Sequence, residues 1–162
     1  MTVSELINKT SKTAFSFEVL PPVKGTGTSA LFSTIDALKE FQPEYINITT
    51  HRSEYVYVEQ PDGTYIRHFM RRRPGTVAVA SAIMQKYDIK VVPHVVVSGM
   101  TKEDIEYMLL DLQFLGIRDL LLLRGDKAKD EAKFQPTKDG YTHATELIEQ
   151  VNLFNQGKFI DG

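Results

Sequence analysis

A chain of 162 residues is long enough for one domain with its own core, and 42% hydrophobic with 25% charged residues is the balance of a soluble globular protein. The net charge of −2 excludes nucleic-acid or membrane binding by bulk charge, and the absence of cysteine excludes disulfides and thiolate metal sites. No window approaches the roughly 20 apolar residues of a membrane span, and Met1 to Lys12 lacks the apolar core of a signal peptide, so a cytoplasmic location is the expectation.

The first strand is expected over Phe15-Ser16-Phe17-Glu18, running into Val19-Leu20-Pro21-Pro22. It sets a carboxylate at a strand end just before a proline stop. Gly25 to Thr28 forms a loop, and Ser29 to Phe41 carries Leu31, Ile35 and Leu38 on one helical face. A second strand, Tyr45 to Ile48, ends in Thr49, Thr50 and His51. The polar segment 52–73 follows. Its turn signal Gln60-Pro61-Asp62-Gly63-Thr64 lies between two tyrosine-bearing stretches and predicts an inserted hairpin.

A second helix is expected from Gly75 or Thr76 to Tyr87, with Val77, Ala80, Met84 and Tyr87 as its apolar stripe and Pro74 in its first turn. The third strand, Ile89 to His94, ends in an imidazole. The third helix has Thr101 as N-cap before Lys102-Glu103-Asp104, an apolar face of Ile105, Met108, Leu109, Leu112 and Leu115, and Gly116 at its close. The fourth strand, Leu120 to Leu123, reads as buried on both faces and stops at Arg124-Gly125-Asp126. A polar loop, Lys127 to Tyr141, leads to a helix over His143 to Gln156 with Leu147, Ile148, Val151 and Phe154 inward.

Four βα units in succession allow an open doubly wound sheet or part of a (β/α)₈ barrel, which usually needs about 250 residues. Either way, strand carboxyl ends are where α/β proteins bind ligands, and Glu18, Thr49, His94 and Asp126 are all expected there. No Gly-x-Gly-x-x-Gly follows the first strand, which argues against a dinucleotide-binding Rossmann domain. The histidines form no metal-ligand spacing, so no metal is expected.

Phe17-Glu18 with Pro21-Pro22, Asn47-Ile48-Thr49, Pro93-His94, Gly116-Ile117 and Leu123-Arg124-Gly125-Asp126, in this order and spacing, resemble the methylenetetrahydrofolate reductase family. The resemblance runs from about Phe15 to Gly157. It implies a TIM barrel that binds FAD at the strand carboxyl ends. It also implies reduction of 5,10-methylenetetrahydrofolate to 5-methyltetrahydrofolate with NAD(P)H. By that resemblance Glu18 is the general acid that opens the folate's imidazolidine ring, and Asp126 lies beside the flavin and steadies the cationic iminium. Thr49, His94, Arg124 and Gly125 match cofactor-contacting positions. His143 and Ala144 fall on a pair that is often Tyr-Ala in the family. The whole of 1–162 then corresponds to an N-terminal half-barrel, with the chain cut short before a fifth strand.

Each residue also has a plainer reading. Glu18 can be a solvated strand-end carboxylate, or an acid whose pKa is raised by Phe17 and Leu20. Asp126 can cap a turn, and His94 can be a structural histidine. Arg71-Arg72-Arg73 can be a solvated face, or an electrostatic site for a pyrophosphate or a folate glutamate tail. Two alternatives to the reductase stay open. One is a non-catalytic nucleotide-binding α/β module. The other is an inert barrel fragment, whose open sheet edges would favour a homo-oligomer.

Overall fold

The structure, a computed structural model, describes residues 1–9, 13–128 and 131–162, with the side chain of Phe69 also left aside. Part of the Lys127 to Tyr141 loop, and the end of the Met1 to Lys12 segment, therefore lie outside the described residues. The elements run α1 (Val3–Lys9), β1 (Ser16–Val19), α2 (Ser29–Leu38) with a 3₁₀ turn at Lys39–Phe41, β2 (Tyr45–Ile48), β3 (Glu54–Glu59), β4 (Tyr65–Met70), α3 (Thr76–Lys86), β5 (Lys90–Val96), α4 (Lys102–Phe114), β6 (Leu121–Leu123) and α5 (Ala144–Phe154).

Four strands form a parallel sheet in the order β1-β2-β5-β6. Each strand pairs with the one before it among the four, so the order never reverses. The core explains where the helices lie. Val19, Ile46, Ile48, Val91, Val95 and Val97 all point to one face of the sheet and cluster with residues from α2, α3, α4 and α5. From the helices come Leu31 and Ile35, Val79 and Ile83, Ile105 and Leu112, and Leu147. Each such buried aliphatic side chain contributes about 1.5–3 kcal/mol of burial. A doubly wound sheet needs helices on both faces and a point where strand order reverses. Neither is found among the described residues, and the sheet is an open one with β1 and β6 at its edges.

The opposite face has a buried centre and open margins. Val92, His94 and Val96 are buried, whereas Leu121 is 41% and Leu123 37% exposed. The reading of the leucine run as buried on both faces is thereby corrected. β6 is an edge strand, and only Leu120 and Leu122 lean on the helical layer. β5 also differs from expectation. The sequence reading ends this strand at His94, yet β5 continues to Val96, which sets His94 inside the strand and Ser98 beyond its tip.

Local signals account for most helix ends. Thr101 Oγ1 accepts from the Asp104 N–H at 3.0 Å, and Asp104 Oδ2 accepts from the Thr101 N–H at 2.9 Å, a reciprocal cap. Gly116, at φ +75°, ends the same helix. Its N–H reaches the Gln113 carbonyl and that of Ile117 reaches Leu112, the pattern of a Schellman close. On α3 the buried stripe is Thr76, Val79, Ala80 and Ile83, and Met84 is 40% exposed. Pro74 precedes the N-cap Gly75 and lies outside the helix. On α5, Ile148 is exposed and Leu147 carries the burial. The amino-terminal helix α1, unread in the sequence, buries Leu6, and the Val3 N–H is held by Asp119 at 2.9 Å.

Segment 52–73 forms the antiparallel pair β3–β4, with Glu59 opposite Tyr65. Its turn is closed by Asp62, whose Oδ1 accepts from both the N–H and the hydroxyl of Thr64, at 2.9 and 2.6 Å. The Arg67 guanidinium lies 4.2 Å from the centre of the Tyr55 ring.

Candidate active site

Parallel pairing brings Glu18, Asn47 and Val92 into line across β1, β2 and β5, so their side chains share a face. His94 is two residues beyond Val92 and shares that face, which is the one no helix of α2 to α5 covers. Its Nε2 lies 3.8 Å from Glu18 Oε2. The pair is asymmetric. His94 is 3% exposed, whereas the Glu18 side chain is 58% exposed. Burial pushes the imidazole below its ordinary pKa, and the Glu18 carboxylate pulls the other way more weakly. The ring is therefore neutral at pH 7, and its Nε2 makes no hydrogen bond. Phe17 and Leu20 do not enclose the carboxylate as expected. Phe17 turns to the other face against Phe41, with ring centroids 6.0 Å apart, and Leu20 is itself exposed.

The tips of the other strands gather around this pair. The Thr49 N–H donates to the Val19 carbonyl at 3.1 Å, tying the β2 tip to the β1 tip. Thr50 Oγ1 donates to the His94 carbonyl at 2.8 Å. Beyond β6, the Ser98 N–H donates to the Arg124 carbonyl at 2.9 Å, extending the ladder past the strand ends. Gly125 follows at φ +81°, and a Cβ there would overlap the Ser98 hydroxyl. Arg124 extends over the ring of Phe134, 4.9 Å from its centre.

The sequence-derived residues thus fall into three groups. Glu18, His94 and Thr49 lie near the carboxyl ends of β1, β5 and β2, with Glu18 and His94 in contact. Arg124, Gly125 and Asp126 sit beyond β6, and Asp126 is exposed. Three strand spacings, about 14 Å, separate β1 from β6, and among the described residues no contact joins Glu18 to Asp126. His143 and Ala144 open α5. The His143 ring lies 3.5 Å from Glu146, whose carboxylate accepts from the Thr142 N–H at 2.7 Å and is held below its usual pKa by that bond. Among the described residues, no contact joins these two to Glu18 or His94.

Sequence reasoning missed Ser98 and Tyr141. Both hydroxyls are buried without a hydrogen-bond partner. The signal for Ser98 was Val95-Val96-Val97-Ser98-Gly99, an apolar run closed by a Ser-Gly turn, obscured by the proline upstream. Tyr141, buried in the core cluster, had no periodic signal because it stands alone between a loop and α5. Orphaned His94 Nε2 and Ser98 Oγ fit the edge of a polar planar ligand that supplies hydrogen-bonding atoms.

Comparison with known proteins identifies the family. Residues 2–161 match the family model for methylenetetrahydrofolate reductase. Methylenetetrahydrofolate reductase (NADH) 1 of Arabidopsis thaliana is 25% identical over 145 residues, 90% of this chain but 22% of that protein. Methylenetetrahydrofolate reductase 1 of Schizosaccharomyces pombe is 26% identical over 152 residues, 93% of this chain and 22% of that protein. The 5,10-methylenetetrahydrofolate reductase of Buchnera aphidicola is 26% identical over 121 residues, 75% of this chain and 36% of that protein. With nearly its whole length matched by that model, and with its motif residues on the strand tips of a parallel sheet, the chain belongs to the methylenetetrahydrofolate reductase family.

Proposed function

We propose that this chain forms four of the eight βα units of a flavin-dependent barrel that reduces 5,10-methylenetetrahydrofolate to 5-methyltetrahydrofolate with NAD(P)H. Sequential strand order, helices on one face and two open edges support the barrel reading. The chain spans about a fifth of the length of the plant and fission-yeast relatives it matches.

FAD, when bound, would supply the hydride acceptor and donor that no side chain provides. His94, Thr49, Arg124, Gly125 and Asp126 would hold it along the strand tips, with His143 and Ala144 at the margin. The chemistry assigned to this chain is proton management. Glu18, exposed on the open face, gives its proton to a ring nitrogen of the folate. The bond from that nitrogen to the bridging carbon breaks, and the lone pair of the second nitrogen forms the C=N⁺ of the iminium. Asp126 across the rim stabilises that cation by charge. His94, buried and neutral, lies 3.8 Å from Glu18 and does not compete for the proton.

The Glu18–His94 pair at the strand tips carries this reading. FAD titration of the chain, followed by dialysis, tests the cofactor: a retained flavin absorbance band is expected, and colourless protein rejects it. In an active reductase containing these residues, Glu18→Gln keeps flavin reduction by NADH and loses folate reduction by about 10²–10⁴-fold. Undiminished folate reduction would remove Glu18 from the acid role.

A further inference from the structure

Away from the Glu18–His94 pair, a groove of about 1390 Å³ runs from the strand tips at Thr50 and Ser98 past the amino end of α3 and on between α3 and α4, where Asp104 and Asp111 line it. Three cations border it there: Lys24, Arg71 and Arg73. Among the described residues none of the three makes an ion pair, whereas their neighbour Arg72 meets Glu54 at 3.6 Å. Arg73 donates to the Pro21 carbonyl, and the Lys24 N–H donates to the Arg72 carbonyl at 2.7 Å, so the loop after β1 is tied to the segment before α3. The Arg71 guanidinium occupies the space that a Cβ on Gly75 would fill.

This arrangement is electrostatically unfinished. The amino end of an 11-residue helix carries a partial positive charge, and a carboxylate belongs there rather than guanidinium groups. Gly75, the N-cap, has no side chain to accept from the first-turn N–H groups. Inside the first turn, the Thr76 hydroxyl is buried at 3% residue exposure with no partner and lines the same groove. An orphaned buried hydroxyl, uncapped N–H groups and unpaired cations all need one thing, an acceptor with several oxygens and more than one negative charge.

We propose that the amino end of α3, with Lys24, Arg71, Arg73 and the Thr76 hydroxyl, is a binding site for a phosphate-type oxyanion. A tetrahedral dianion accepts from N–H, hydroxyl and guanidinium donors at once and balances the surplus charge. Free phosphate and a nucleotide's phosphate group share this chemistry.

The test is calorimetric titration of the flavin-free 162-residue chain at low salt with inorganic phosphate, ADP and adenosine, so it stands or falls apart from the reductase reading. Saturable one-to-one binding of phosphate is expected, with adenosine silent. ADP tighter than phosphate assigns the site to a nucleotide; equal affinity assigns it to the free anion. Arg71→Ala carries the main test, because Arg71 is exposed and packs only over Gly75 among the described residues, and it weakens binding about tenfold or more. Thr76→Val weakens binding and Thr76→Ser restores it, while Arg118→Ala, at the far end of the strands, changes nothing. No saturable phosphate binding, or equal affinity in wild type and Arg71→Ala, overturns the site.

Discussion

Replacing Gly125 by alanine tests the geometry of the β5–β6 rim without any ligand. At φ +81° an L-residue is strained, which costs about 1–2 kcal/mol. The new Cβ would overlap the Ser98 hydroxyl and stand 3.1 Å from Ser98 Cβ and 3.3 Å from Val96 Cβ. Both neighbours are buried, so little can move, and such overpacking costs about 1–3 kcal/mol. The expected total is about 2–5 kcal/mol, a large part of the roughly 5–15 kcal/mol that holds a domain of ordinary stability. Equilibrium urea unfolding reads this as a midpoint lowered by about 1–2 M. Ser98→Ala separates the two parts. Alone it removes an unpartnered hydroxyl and leaves stability within about 1 kcal/mol of wild type. Combined with Gly125→Ala it recovers much of the steric loss but none of the backbone strain. A Gly125→Ala midpoint equal to wild type would refute the close approach of the two strand tips.

Two further predictions concern pH and capping. Burial holds the His94 imidazole below its ordinary value of about 6.5. The unfolded chain therefore takes up a proton that the folded state refuses. Stability is full above about pH 6.5 and falls as pH drops through that value toward the lower folded one. His94→Gln flattens this slope in urea midpoints measured from about pH 7.5 to 5, and identical slopes would assign the proton uptake elsewhere. Thr101→Ala removes the reciprocal cap of α4 and destabilises by about 1 kcal/mol, with Thr101→Ser near wild type in the same assay.

The alternation of strands and helices was legible because parallel strands and amphipathic helices differ in period and because Thr101, Gly116 and Gly157 mark helix ends chemically. Face assignment was less so. On α3, Val77-Ala78-Val79-Ala80 with Ala82-Ile83-Met84 is apolar nearly all round, so periodicity could not choose between Met84 and Ile83. The leucine run of β6 could not reveal which face lacks a covering layer, since covering is a property of other elements. At the site, the strand-end rule found Glu18, Thr49 and the Arg124–Asp126 turn. It ended the third strand at His94, two residues short of the observed end at Val96, and so passed over Ser98 beyond it. The contact between Glu18 and His94 arises from strand register, which residue types alone do not encode.

Pairing each strand with its predecessor has a temporal consequence. A β-strand emerging from the ribosome finds its hydrogen-bonding edge already made, and the helix between them closes that step before the next begins. Assembly can therefore advance as a ratchet, one crossover at a time, with the growing edge and the first edge at β1 left to invite the wrong neighbour.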